Sequence, residues 1–219
     1  MDRWATFDCY GTLIDWERGI GDALSALWPG ADRNELLGRY HEVEPRIQEG
    51  SARPYREVLR AALIEVGRAE GRKVPDGRAD SLAESLPDWP AFPEVPPALR
   101  ELHRRGWKLG ILSNTDPDLL AASVQTLGVS PDLAITASEA HSYKPAIGHW
   151  LVFRKLSRAD PTRHVHVAAS SFHDLAPSAE LGIPAVWINR LGERSELPRE
   201  AELPDLSTLP DILDGLVRP

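Results

Sequence analysis

Short apolar runs alternate with segments of helical periodicity along this 219-residue chain, a pattern that predicts a parallel sheet joined by crossover helices. The predicted strands are Trp4–Phe7, Lys108–Leu112, Leu133–Thr136, Val165–Ala168 and Ala185–Ile188. Helices are expected at Pro97–Arg105, where Arg104-Arg105-Gly106 places cations and then glycine at a C-terminus, and at Pro117–Leu127, closed by Gly128.

Between Asp15 and Pro90 no run reads as a strand. Apolar spacing there predicts amphipathic helices, among them Asn34–Gln48 and Tyr55–Glu70. The stretch Pro87-Asp88-Trp89-Pro90-Ala91-Phe92-Pro93, with Pro96-Pro97 beyond it, excludes continuous helix and ends the segment. The expectation is an α/β core of residues 1–14 and 91–219, with a helical cap, 15–90, inserted after the first strand and closing over its end. The tail beyond Leu191, stiffened at Leu197-Pro198, Leu203-Pro204 and Leu209-Pro210, is expected to wrap the surface before a last helix at Asp211–Leu216.

Polar clusters follow the predicted strands in order: Asp8 with Thr12, then Ser113-Asn114, then Lys144-Pro145, then Ser170-Ser171 with Asp174. Successive carboxyl ends of a parallel sheet lie along one edge, so these residues are expected to converge. Asp8, placed where an apolar strand meets a glycine-containing turn, is the candidate nucleophile, since carboxylates form covalent intermediates. Lys144 would favour its ionised form, as an opposite charge within about 4–6 Å does. Ser113 and Thr12 would orient that carboxylate or a substrate oxygen. Asp174 would fix Lys144 and position a water; the alternative is a helix N-cap or first-turn carboxylate, because Leu175 opens a helical pattern.

A net charge of -8 repels phosphate backbones and anionic lipid, which argues against nucleic acid and membrane partners. A small anionic substrate would need local cations. Cys9 is the only cysteine, so no intramolecular disulfide forms and a cytoplasmic location is the default. Beside Asp8, Cys9 itself is expected to pack as a small hydrophobe. Met1-Asp2-Arg3-Trp4 runs straight into a predicted strand, which leaves no room for a signal peptide, and no apolar run approaches the roughly 20 residues of a membrane span. His164 and His166 alternate with Val165 and Val167 and are expected on the less buried face of a strand; His41 and His149 are too isolated to suggest a metal site.

Phe7-Asp8-Cys9-Tyr10-Gly11-Thr12-Leu13 resembles the first motif of the haloacid dehalogenase superfamily. Its phosphatases carry Asp-x-Asp there, and its 2-haloacid dehalogenases carry Asp-x-Tyr-Gly-Thr. Ile111-Leu112-Ser113-Asn114 resembles the second motif, Tyr143-Lys144-Pro145 the third, and Val167 to Asp174 occupies the fourth. The resemblance implies a Rossmann-like core with a helical cap. It implies a metal-independent hydrolase that acts on a small 2-halo carboxylic acid through a covalent aspartyl ester. The phosphatases hold Mg²⁺ with an acidic residue of the fourth motif and use the second Asp of the first as acid and base. Here those places are taken by Ala169 and Tyr10, so no metal or other cofactor is expected.

For the substrate pocket the resemblance implies Tyr10, Asn114 of the second motif, a cap arginine matched loosely by Arg39, and Trp150 at the aromatic position after Lys144. Ser171 replaces the water-orienting asparagine of the dehalogenases and could still hydrogen-bond a water. His173 reads either as a general base or as a helix-start histidine. These departures leave the leaving group open. Two alternatives accompany the resemblance: a Mg²⁺-dependent phosphatase with degenerate motifs, and a non-catalytic relative that binds a small acid or a protein. Many relatives dimerise, which leaves a homodimer open.

Overall fold

The structure, a computed structural model, describes residues 2–49 and 53–218. Six parallel strands form one sheet in the order β3-β2-β1-β4-β5-β6. They are β1 (Arg3–Phe7), β2 (Trp107–Ser113), β3 (Leu133–Thr136), β4 (His164–Ala168), β5 (Ala185–Ile188) and β6 (Ala201–Leu203). Every residue of β1, β4 and β5 is buried, as expected of parallel strands covered on both faces. The order reverses beside β1, with β2 on one side and β4 on the other, and a ligand crevice is expected at such a switch point.

The crossovers contain α5 (Val95–Arg104), α6 (Pro117–Leu127), α7 (Ala137–Ala140), α8 (Gly148–Ser157) and α9 (Ala176–Glu180), and α10 (Leu209–Leu216) follows the last strand. Gly128 ends α6 in the left-handed conformation that favours glycine. The tail does more than wrap the surface: Ala201–Leu203 pairs with β5 as a short sixth strand. Such a brief edge strand leaves few unpaired backbone groups exposed.

The cap lies between β1 and α5 and contains α1 (Trp16–Leu27), α2 (Arg33–Gln48), α3 (Tyr55–Ala69) and α4 (Ser81–Ser85). The chain leaves the sheet and returns side by side, with Asp15 N–H donating to Pro90 O (2.8 Å) and Phe92 N–H to Leu13 O (3.0 Å). Core residue Asp116 accepts from the backbone N–H groups of Tyr55 and Arg56, both at 2.9 Å, and so caps the start of α3 from below. Among the described residues no helix is long and apolar enough to cross a membrane.

The histidines of β4 depart from expectation. His164 and His166 are both buried, because helices cover the faces of this inner strand and leave no wet side for an alternating polar set.

Candidate active site

The turn after β1 is closed by hydrogen bonds from the backbone N–H groups of Leu13 and Ile14 to Cys9 O, with Gly11 at φ 90, a conformation open to glycine. This fold-back brings Thr12 over Asp8. Thr12 Oγ1 donates to Asp8 Oδ2 at 2.8 Å and accepts from Ala169 N–H, also at 2.8 Å. Lys144 Nζ donates to Asp8 Oδ1 at 2.8 Å and to Asp174 Oδ1 at 2.6 Å. Asp8, Thr12, Ser113, Lys144 and Asp174 are all buried.

Burial alone would raise the Asp174 carboxyl and lower the Lys144 ammonium, but their contacts outweigh it. Lys144 and His166 hold Asp174 below the usual carboxylate range, and Asp174 and Asp8 hold Lys144 above the usual lysine range. Behind Asp174 a chain of polar groups runs into the sheet. His166 Nε2 is 3.0 Å from Asp174 Oδ1, His166 Nδ1 is 2.9 Å from Thr6 Oγ1, and Thr6 Oγ1 is 2.7 Å from His164 Nε2. One proton arrangement satisfies every link: His164 donates to Thr6, Thr6 to His166, and His166 to Asp174. Burial keeps His164 neutral, its pKa lowered to about 3.

A cavity of about 470 Å³ opens between core and cap, within the range of small-molecule sites. Asp8, Tyr10, Ser113, Asn114, Lys144, Ser171, His173 and Asp174 all line it. Ser113 Oγ is buried without a hydrogen-bond partner among the described residues, as is Asp174 Oδ2. Asn114 Oδ1 accepts from Lys144 N–H at 2.6 Å, and its Nδ2 donates to Lys144 O and to Gln48 Oε1 of α2. Tyr10 stacks on Tyr55 and reaches Ser123 Oγ through its hydroxyl at 3.0 Å. His173, on the turn Ser171–Leu175, has Nδ1 at 3.1 Å from Ser170 Oγ, and burial pushes it below the usual histidine range. Cys9 is fully buried.

Two expected pocket residues lie elsewhere. Arg39 does not line the cavity; its guanidinium pairs with Glu42 and, at 2.9 Å, with Glu70 on the cap. Trp150 is buried against His166 on the side of the sheet where Trp4 and Phe153 pack, and does not line the cavity either. The cap wall is built instead by residues that include Trp16, Glu17, Tyr40, His41, Glu44, Gln48 and Tyr55.

Arg190, which no sequence motif singles out, follows β5 and lines the cavity. It donates to Thr12 O at 2.8 Å and Gly11 O at 3.2 Å, pairs with Glu94 at 2.6 Å, and lies 3.6 Å over the Phe92 ring. It thus clasps the nucleophile turn from below. Its position just past a strand's carboxyl end is the signal that marks it.

A family model described as haloacid dehalogenase-like hydrolase matches residues 3–167. The chain belongs to the haloacid dehalogenase-like hydrolases. Among curated relatives of this hydrolase, the (S)-2-haloacid dehalogenase of Pseudomonas sp. (strain YL) is 29% identical over 192 residues, covering 85% of this chain and 82% of that protein. The phosphoserine phosphatase of Thermus thermophilus is 31% identical over 199 residues, covering 87% and 73%. A crystal structure of an L-2-haloacid dehalogenase superposes with a TM-score of 0.86 at 25% identity, covering 97% of this chain and 99% of that one.

Proposed function

We propose that this hydrolase displaces a leaving group from the alpha carbon of a small 2-substituted carboxylic acid, as the 2-haloacid dehalogenases named among its relatives act on haloacids. The observation that carries the reading is the Lys144 ammonium, bonded to Asp8 and Asp174 at once. The family's phosphatases imply Mg²⁺, and the donor set here does not fit it. Both Asp8 oxygens are engaged by protonated donors, Asp174 Oδ1 is shared by Lys144 and His166, and the place of the motif-four ligand is Ala169. Mg²⁺ demands near-octahedral oxygen coordination, which this arrangement does not offer. Tyr10 cannot replace an acid-base carboxylate, since burial raises its phenol far above the usual range.

In the proposed cycle an Asp8 oxygen forms a bond to C2 while the C2–X bond breaks and X leaves with the electron pair as an anion. Water then attacks the Asp8 carboxyl carbon, the charge that develops on the carbonyl oxygen faces Lys144 or Thr12, and cleavage returns Asp8 with a 2-hydroxy acid. With Nδ1–H donating to Ser170 Oγ, His173 presents Nε2 as an acceptor for the water's proton, a role supported by its lowered pKa. Asp174 positions Lys144. Ser113 Oγ, unpaired, and Asn114 are assigned to the substrate, and Ser171 to the water. We take 15–90 as the cap and 1–14 with 91–219 as the core. With its single cysteine buried, the protein is assigned to the cytoplasm.

Repeated turnover of a 2-chloro acid in heavy-oxygen water is expected to label Asp8, readable by mass spectrometry of its peptide, and Asp8→Asn is expected to abolish chloride release while remaining folded. Turnover without label sinks the covalent route. Chelator-sensitive release from phosphate esters would instead favour the phosphatase reading.

A further inference from the structure

The cavity holds few cations, and those it holds are engaged. Lys144 and Arg190 are its only lysine and arginine among the described residues; the first is bound to Asp8 and Asp174, the second to Glu94 and two backbone carbonyls. On the cap wall the charge is of the opposite sign. Glu17 is paired with His41, but Glu44 has no ion-pair partner among the described residues and only accepts from Gln48 Nε2 at 3.2 Å. It stands beside Tyr40 and Tyr55, where burial pushes its carboxyl up to about 7. The volume also exceeds what the smallest 2-halo acids need, so a substrate that reaches Asp8 leaves room along the cap wall. Ser113, whose buried Oγ has no hydrogen-bond partner among the described residues, lines the same cavity.

Resting on the displacement reading, we propose that Glu44 selects the substrate: an acid whose end remote from the displaced carbon carries an N–H or O–H donor, received by the Glu44 carboxyl. A plain alkyl end would cover Glu44 and return no hydrogen bond, and buried polar groups left without partners are what make a site reject the analogue that lacks the donor. Above pH 7, where Glu44 is ionised, a second carboxylate at that end would meet it with like charge.

The test measures chloride release by wild type, Glu44→Gln and Glu44→Met from 2-chloro acids of matched length ending in methyl, carboxamide or ammonium. Assayed above pH 7, where Glu44 is ionised, wild type is expected to favour a donor-ended acid over the methyl-ended one by about tenfold or more in kcat/KM, as a charge-assisted hydrogen bond allows. The carboxamide and ammonium arms separate a neutral donor from a cation. Glu44→Gln should lose preference for ammonium, and Glu44→Met preference for both. Wild type favouring the methyl-ended acid, or Glu44→Met keeping the wild-type ranking, overturns the proposal. Calorimetric binding of the matching 2-hydroxy acids gives the same ranking without turnover. Should no chloride be released while those products still rank as expected, the displacement reading fails and the role of Glu44 stands; if the products do not bind, the role of Glu44 falls too.

Discussion

At the scale of single residues, Lys144 serves two carboxylates with one ammonium, and the second of them leans on His166. Replacing His166 with leucine removes a donor from Asp174 Oδ1 and leaves Thr6 and His164 without their onward link. Because a hydrogen bond to a charged group contributes about 1.5–3 kcal/mol, His166→Leu is expected to lower kcat by roughly ten- to a hundredfold with KM little changed. Steady-state kinetics on any substrate turned over reads this, with Arg39→Ala, whose side chain lies outside the cavity, as an unaffected control. An unchanged kcat in His166→Leu removes the histidine from the mechanism. Asp8, Ser113, Lys144 and Asp174 were legible in the sequence because strand ends of a parallel sheet share an edge, whatever the side-chain detail. His166 was not, since alternation distinguishes two faces of a strand but not whether the second face is covered. Arg39 differs from the cavity-lining Tyr40 by one helical step of about 100°, and no local pattern says which face of a cap helix meets the core.

Among the elements, the seam between cap and core rests on a close approach of α1 to the proline-rich return segment. A Cβ added at Gly19 would lie 2.2 Å from the Trp89 ring, whose indole is buried and donates to Ser85 Oγ at 3.0 Å. The ring cannot yield without moving Ser85 and Tyr10, which packs edge-on against it. Gly19→Ala is therefore expected to destabilise the protein by about 1–3 kcal/mol, as overpacking of a filled core does, despite alanine's better helix propensity. Urea unfolding checks it, and a midpoint equal to or above wild type would show that the seam has slack. The longer strands and helices emerged from periodicity because each is long enough to repeat its pattern. Three-residue β6, set between Pro198 and Pro204, has no period to read; its pairing with β5 exists only once the sheet supplies a partner.

For the whole molecule, buried ionisable groups pull stability in opposite directions with pH. His149 and His164, lowered by burial to about 4 and about 3, stay neutral in the folded chain, whereas the unfolded chain protonates them below about pH 6.5. Each makes the unfolded state bind one more proton, so stability falls as pH drops below 6.5; His173, also lowered, acts in the same direction. Glu44 has the reverse sign. Its folded carboxyl keeps a proton up to about pH 7 while the unfolded one has lost it above 4.5, so it costs stability as pH rises through that window. Between about pH 4.5 and 6.5, His149 and His164 against one carboxyl contribute a net uptake of one proton on unfolding, a slope of about 1.4 kcal/mol per pH unit to which His173 adds in the same direction. Glu44→Gln deletes the opposing group, so the same window should steepen by about a further 1.4 kcal/mol per pH unit, with the variant gaining most over wild type above pH 7. Chemical denaturation of both proteins from pH 4.5 to 8 measures it. Parallel curves would mean that Glu44 is as solvated in the folded cavity as in the unfolded chain, and the carboxyl would then have no desolvation for a substrate donor to relieve.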